Sequence, residues 1–267
     1  MQDDPKPFLD HLEDLRWTII KCVIALASGM GLSLVFTDRI LRILEEPLRR
    51  VIEPRGKNVE DFLIMQNMMD PLTVTIQTAI SAGIVVALPF ILFFVGQFIL
   101  PALSVRERKL ILPTFSFGVV LFLTGVLFCY FLILPQAIEV FISWGESMRR
   151  TYLMPQNEYL GFILQMLVAF GLSFELPLVI IILSKLGIVS VEMLKGHRRH
   201  ALVIIIIFAA CITPTSDPFS LGMLSVPMYF LYELSIFCAA WIERKRNRAE
   251  LEELKVLKKR EDYDSLG

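Results

Sequence analysis

Residues 10–36 read DHLEDLRWTIIKCVIALASGMGLSLVF, so a charged cluster leads directly into an apolar segment. The apolar part, residues 17–36, has the length of about 20 residues that a helix needs to cross the hydrocarbon core of a bilayer. No basic segment precedes it and no small-residue cleavage site follows it, so we interpret it as a retained helix rather than a removable signal peptide. The segment predicts a membrane protein.

The rest of the chain agrees with this prediction. Hydrophobic residues make up 55% of the 267 residues and the mean hydropathy is +0.62, whereas soluble domains are roughly 45–50% apolar. Further apolar segments occupy residues 72–100, 110–134, 159–184, 201–213 and 219–241. We predict an all-α membrane protein of six transmembrane helices, the last two short, because the run ALVIIIIFAACI reaches only about 18 Å as a helix.

Prolines lie inside four of these segments, at Pro89, Pro113, Pro177 and Pro227. Each removes one backbone hydrogen bond and crowds the carbonyl four residues earlier, so the sequence predicts proline-bent helices and a curved bundle. The stretch LRILEEPLRRVIE, residues 41–53, is typical of an amphipathic surface helix broken at Pro47. We assign residues 1–242 to one transmembrane domain and residues 243–267 to a charged tail, either a solvated helix or disordered.

The distribution of basic residues predicts the orientation. With the N-terminus in the cytoplasm, the loops and tail on that side contain about twice as many Lys and Arg residues as the opposite loops. Positive charge concentrates on the cytoplasmic side of membrane proteins, so both termini are expected there. The loops of residues 38–70 and 135–158 are then outside.

Composition and motifs exclude several functions. A net charge of -1 argues against binding to nucleic acid. The four cysteines have no CxxC spacing, His197 and His200 lack an acidic helix partner, and no phosphate-binding glycine loop occurs. We therefore expect no metal, no cofactor and no enzymatic activity. A receptor or scaffold and a secondary transporter of a small solute remain as alternatives; a transporter is expected to line a midplane cavity with polar residues.

Three groups of acidic residues have two interpretations each. With Asp10 as N-cap and Glu13 three residues later, the first cluster is typical of a helix start; alternatively its carboxylates, together with Glu107 on the same face, receive a cation. Glu175 lies in mid-span, where an unpaired charge costs about 2.5–3.5 kcal/mol. It either satisfies the Ser173 carbonyl that Pro177 frees, or it serves function. Glu233 is expected to be a second buried acid, structural or functional.

Four motifs carry a resemblance to a known family. They are HLEDLR at residues 11–16, FILPALSVRERKLILP at 98–113, FGLSFELP at 170–177 and ITPTSDPFSLGMLSVPMYFLYE at 212–233. In order and spacing they resemble TatC, the polytopic receptor subunit of the twin-arginine protein translocase, over residues 8–242. The resemblance implies a receptor in a bacterial-type cytoplasmic (inner) membrane that captures folded precursor proteins through twin-arginine signal peptides. Single-span TatA/TatB-type subunits, further copies of the chain and the proton motive force are its implied partners and energy source.

The resemblance also implies roles for individual residues. Asp14 and Glu107 correspond to the carboxylates that recognise the paired arginines, Phe98 and Pro101 shape the loop, and Arg16 completes the first motif. A guanidinium meets a carboxylate through two parallel hydrogen bonds, a geometry that lysine cannot copy. The family has glutamate where this chain has Asp14, one methylene shorter, so either Asp14 or the preceding Glu13 makes the contact.

In the same family the glutamate matching Glu175 lies on the concave membrane face and is tied to recruiting the single-span subunits. Pro214 and Asp217 match the last outside turn, although TPTSDP contains one extra residue and Leu221 replaces a frequent glutamine. Pro47 and this turn are expected to be structural features of the outside face.

Overall fold

The computed structural model describes residues 8–99, 105–148, 153–185, 188–212 and 218–264 and is mostly helical. Two-residue strands β1 (Leu63–Ile64) and β2 (Met154–Pro155) pair in parallel, with Leu63 opposite Met154. The α-helices are α1 (Phe8–Val35), α2 (Thr37–Ile52), α3 (Val59–Phe62), α4 (Asp70–Ile99), α5 (Val105–Phe128), α6 (Leu134–Ser147), α7 (Gln156–Phe174), α8 (Leu176–Lys185), α9 (Val191–Gly196), α10 (Arg198–Ile212) and α11 (Pro218–Asp264).

Within the part of the chain that the structure describes, five helical stretches are long and apolar enough to cross a membrane. They are Leu12–Val35, Asp70–Phe98, Ser116–Ser147, Gln156–Ser184 and Pro218–Trp241. Each overlaps one of the predicted spans, so these five predictions are confirmed as long apolar helices. The remaining predicted span corresponds to α10, whose 15 residues reach about 22 Å, short of a hydrocarbon core of about 30 Å.

The third span differs from its prediction. The sequence placed its end near residue 134 and an outside loop after it, but the chain stays helical to Ser147. A π-helical segment at Cys129–Ile133 ends two residues before Pro135, and the N–H of Leu134 donates to the carbonyl of Cys129. A five-residue turn is wider than an α-turn, so it makes room for the proline ring without ending the helix.

The predicted break at Pro47 is also wrong. Helix α2 continues through it, and Pro47, Leu48 and Ile52 are buried on one side of the helix. The proline has no N–H to donate to the carbonyl of Ile43, and the hydroxyl of Tyr130 donates to that carbonyl at 2.8 Å instead. The lost backbone bond is thereby replaced, so the amphipathic helix remains intact on the bundle.

Both termini of the described chain extend beyond the spans as helix. Helix α1 is already helical at Phe8, so Asp10 lies inside it and is not the predicted N-cap. Helix α11 continues to Asp264, so the tail is helical up to that residue rather than disordered.

The long helices alternate in direction and give the bundle two ends. The N-terminal face contains the first turns of α1, the end of α4, the start of α5 and helix α9. The α2 face contains α2, α3, α6 and the β1–β2 pair. On the α2 face Phe219, at the start of α11, packs against Phe141 of α6 with ring centroids 6.1 Å apart. Glu175 separates α7 from α8, and Pro177 is the second residue of α8.

Candidate functional site

Helices α1 and α4 cross where both have glycine. A Cβ added to Gly29 would lie 2.7 Å from the carbonyl oxygen of Gly83, and one added to Gly83 would lie 2.8 Å from the Cα of Met30. The two backbones therefore touch, which residues with side chains would prevent. From this crossing, Asp14 on α1 and Phe98 on α4 each lie about 15 residues away towards the N-terminal face, a distance of about 22 Å. The antiparallel pair thus brings Asp14 and Phe98 to the same depth.

The acidic cluster occupies the first turns of α1. Glu13 and Arg16 are exposed, whereas Asp14 is half-buried. The hydroxyl of Thr18 donates to the carbonyl of Asp14 at 2.8 Å, a bond within the helix. An exposed carboxylate contributes little to the stability of a fold, so the exposed Glu13 can meet a ligand without disturbing the helix.

The short connection between α4 and α5 places Glu107 at the N-terminal face as well. Helix α5 starts at Val105, so Glu107 lies in its first turn, and the structure describes the backbone of Glu107. The connection from Ile99 to Val105 spans at most about 22 Å when fully extended. The first turn of α5 is consequently at the same membrane face as Phe98. Pro101, Pro214 and Asp217 lie outside the described residues.

Glu175 is a buried carboxylate inside the spanning region. Its residue exposure is 6%, and neither carboxylate oxygen has a hydrogen-bond partner among the described residues. A Cβ added to Gly118 of α5 would lie 3.1 Å from Glu175 Oε2 and 2.6 Å from Leu178 Cδ2. The absence of a side chain at Gly118 is therefore what gives the carboxylate its space.

This environment decides against one interpretation of Glu175. The carboxylate does not satisfy the Ser173 carbonyl in the described structure, because both of its oxygens lack partners. The Ser173 hydroxyl is not a partner of Glu175 either, because it donates to the carbonyl of Ala169 at 2.6 Å. A buried polar group without a partner costs about 1–3 kcal/mol, and Glu175 is the one acidic residue among the described side chains that are buried without a partner.

Glu233 differs from its prediction, because it is half-exposed rather than buried. Its Oε2 accepts a hydrogen bond from Arg198 Nη2 at 2.7 Å, and its Oε1 accepts one from the Tyr229 hydroxyl at 3.1 Å. Arg198 is the first residue of α10, so the ion pair joins the start of α10 to α11. The geometry favours the structural interpretation of Glu233.

The α2 face contains contacts that the sequence did not reveal. Besides Tyr130, Tyr159 anchors α2: its side chain is 1% exposed and its hydroxyl donates to the carbonyl of Leu44 at 2.8 Å. Both acceptors lie three to four residues before Pro47, in the turn that the proline disturbs. Pro47 frees the carbonyl of Ile43, and the need of that carbonyl for a donor is the sequence signal that could have indicated Tyr130.

Ion pairs reinforce the same face. Arg55 donates two hydrogen bonds to Glu139, one of them 3.1 Å from Nη1 to Oε2, and its Nε lies 3.7 Å from Glu146 Oε2. Lys57 Nζ lies 3.2 Å from Glu146 Oε1. The hydrogen bond to Glu139 raises the pKa of Arg55. These bonds connect the segment after α2 to α6 and fix the face opposite the acidic cluster.

Within the described residues, no group of three or more His, Cys, Asp or Glu side chains is arranged to hold a metal ion. The rings of His197 and His200 lie 5.4 Å apart on the N-terminal face. His197 Nδ1 is 2.8 Å from the carbonyl of Met193, within its own helical turn.

Known proteins are similar to this chain in sequence and fold. A sequence model of the family described as Sec-independent protein translocase protein (TatC) matches residues 10–227. The TatC protein of Aquifex aeolicus (strain VF5) is 31% identical over 245 residues, which cover 91% of this chain and 99% of that protein. The TatC protein of Carboxydothermus hydrogenoformans is 34% identical over 250 residues, with coverages of 94% and 99%.

Solved structures agree with the sequence similarity. A crystal structure of the twin arginine translocase receptor TatC has a TM-score of 0.76 and 31% identity to this chain, and the alignment covers 86% of this chain and 98% of that chain. A second crystal structure of the same receptor, in DDM, has a TM-score of 0.76 and 32% identity.

Proposed function

Because this chain belongs to the TatC family of Sec-independent protein translocase proteins and is a receptor component of the twin-arginine translocase, we propose that its N-terminal face binds the twin-arginine signal peptides of folded precursor proteins. One observation carries this proposal: the glycine crossing of α1 and α4 brings the acidic cluster and Phe98 to the same depth, beside the first turn of α5. Family membership also favours the receptor over the small-solute transporter.

The proposed binding chemistry pairs two guanidinium groups with two carboxylates. Glu107 receives one arginine, and Asp14 or Glu13 receives the other. Each charge-assisted bond to such a group contributes about 1.5–3 kcal/mol, and the bidentate geometry discriminates against lysine. Glu13 is exposed whereas Asp14 is half-buried, so Glu13 has the freer approach and Asp14 the better fixed position. Arg16, Phe98 and Pro101 shape the site.

The wider assignment follows from the same proposal. The chain is a non-enzymatic receptor and scaffold in the cytoplasmic (inner) membrane, with both termini in the cytoplasm. Six transmembrane helices form a curved bundle in residues 1–242, with α10 as the short fifth span. The N-terminal face is then cytoplasmic, as signal-peptide capture requires, and the α2 face, with Pro47, Pro214 and Asp217, is outside. Transport is driven by the proton motive force.

Partner assembly is assigned to Glu175. In the proposal its carboxylate bonds to a polar side chain in the transmembrane helix of a single-span TatA/TatB-type subunit. The support is the pair of unpartnered oxygens beside Gly118, since an intermolecular bond satisfies a group that the described chain leaves unsatisfied. The residue exposure of 6% means that Glu175 turns outward when the contact forms. Glu233 stabilises the bundle, and several copies of the chain associate in the receptor complex.

Photocrosslinking from residue 12 tests the proposed signal-peptide site. Leu12 is 45% exposed and adjoins Glu13, so a photoreactive amino acid there leaves all the candidate carboxylates intact. We expect crosslinks to a twin-arginine signal peptide and a large loss when the paired arginines are replaced by lysines. Glu107→Gln should remove the crosslink, whereas Glu192→Gln, at an exposed acid of α9 on the same face, should not. Equal crosslinking in Glu107→Gln and the parent would exclude charge pairing at Glu107.

A further inference from the structure

An open groove runs between α1 and α4 on the membrane-facing surface. Its volume is about 360 Å³, and its walls extend from Lys21 to Leu32 on α1 and from Val86 to Phe94 on α4. The groove exists because residues near the helix crossing, including Ala25, have small side chains. Helix α1 is the least buried of the five candidate spans, so the groove is open along its side.

Lys21 is the one charged residue among the described residues that line the groove, and its side chain is exposed. It follows Trp17 by about one helical turn. Trp17 is 56% exposed, and exposed tryptophans concentrate at the boundary between headgroups and hydrocarbon. A lysine one turn inside that boundary extends its ammonium group to the phosphate level while its methylenes cover the apolar surface. The groove therefore has a cationic mouth at the N-terminal face.

The length of the groove matches one leaflet. From Lys21 to Leu32 helix α1 rises about 16 Å, roughly half of a hydrocarbon core of about 30 Å. A transmembrane helix of a partner would need an apolar surface along the whole core. A basic peptide would be repelled by Lys21, whereas an acyl chain with an anionic headgroup matches both the length and the charge.

We propose that this groove binds one anionic phospholipid from the leaflet at the N-terminal face. The lipid phosphate contacts the Lys21 ammonium, and one acyl chain lies against Phe90 and Phe94 between the two helices. The site is independent of signal-peptide recognition, because it uses none of the carboxylates assigned to that function.

Lipid binding to the purified full chain tests the proposal. Native mass spectrometry in detergent counts bound lipids while dioleoyl-phosphatidylglycerol or dioleoyl-phosphatidylcholine is titrated. The parent should prefer phosphatidylglycerol, and Lys21→Gln should reduce that preference roughly fivefold, the effect of one lysine near an anionic headgroup. Lys195→Gln, at an exposed lysine of α9 on the same face, should bind like the parent. Ala25→Phe should fill the groove and lower binding of both lipids.

Three outcomes would overturn the proposal. Unchanged preference in Lys21→Gln would place the phosphate elsewhere, and unchanged binding in Ala25→Phe would place the acyl chain elsewhere. A dimer of the chain that Ala25→Phe abolishes would assign the groove to a second copy. Size-exclusion chromatography checks folding, and Ser28→Leu, at another lining position, replaces Ala25→Phe if that variant does not fold.

Discussion

Replacing Glu175 with methionine tests whether the carboxylate stabilises the fold or serves transport. Methionine has about the length of glutamate but no polar head, and its flexible chain fits irregular space. Among the described residues neither carboxylate oxygen has a partner, and burying one polar group without a partner costs about 1–3 kcal/mol. We therefore expect Glu175→Met to stabilise the isolated chain by about 1–3 kcal/mol, although most substitutions destabilise.

The assay measures stability and transport side by side. Thermal unfolding in detergent should show a midpoint several degrees above that of the parent, because about 1 kcal/mol shifts the midpoint by about 2–4 °C in proteins of roughly this size. Transport of a precursor into inverted membrane vesicles should fall, while binding of its signal peptide is unchanged. Glu175→Gln keeps a donor and an acceptor and should retain much of the transport activity.

The control is Ser235→Ala, since the buried Ser235 hydroxyl donates to the carbonyl of Leu231 at 2.6 Å. Removing a satisfied hydroxyl should give no stabilisation. If Glu175→Met lowered the unfolding midpoint, the carboxylate would have a stabilising partner within the chain. If it transported normally, the proposed contact with a partner subunit would be wrong.

Three further predictions concern the two faces. Tyr159→Phe should lower the free energy of unfolding by about 1 kcal/mol through loss of the bond to Leu44, seen as a lower unfolding midpoint in detergent; an unchanged midpoint would show that the bond contributes nothing. In a background without native cysteines, Asn58→Cys should react with a membrane-impermeant thiol reagent in intact cells and Lys195→Cys should not; the reverse pattern would place the acidic cluster outside. Asp14→Glu should retain signal-peptide binding, and a loss of binding would point to Glu13 as the contact.

The spans could be predicted because apolar length is a local property of the sequence. Two predicted boundaries were wrong, the break at Pro47 and the end of the third span near residue 134, next to Pro135. In both cases the structure supplies a compensation: the Tyr130 hydroxyl at Ile43, and the π-helical turn before Leu134. Tyr130 is 87 residues from Ile43 in the sequence, and no residue type in Cys129–Ile133 predicts a π-helical turn.

Site prediction divides in the same way. The placement of Asp14 and Phe98 at one membrane face follows from two consecutive antiparallel spans, which the sequence predicts. The partner of Glu233 could not be predicted from the sequence, because Arg198 is 35 residues away and meets Glu233 only after α10 packs on α11. The unpartnered state of Glu175 depends likewise on Gly118, a residue of another helix.

The glycine crossing makes α1 a lever with its pivot at Gly29 and Gly83. Helix α1 contacts chiefly α4, so rotation about this point is opposed by little other packing. Each arm from the pivot to the N-terminal face is about 22 Å long. A change of about 10° in the crossing angle therefore moves Asp14 by about 4 Å relative to Phe98, more than the length of a hydrogen bond. Because the proposed bidentate ion pair would tolerate no such displacement, the angle at two small residues in the membrane interior would set the position of the acidic cluster relative to Phe98.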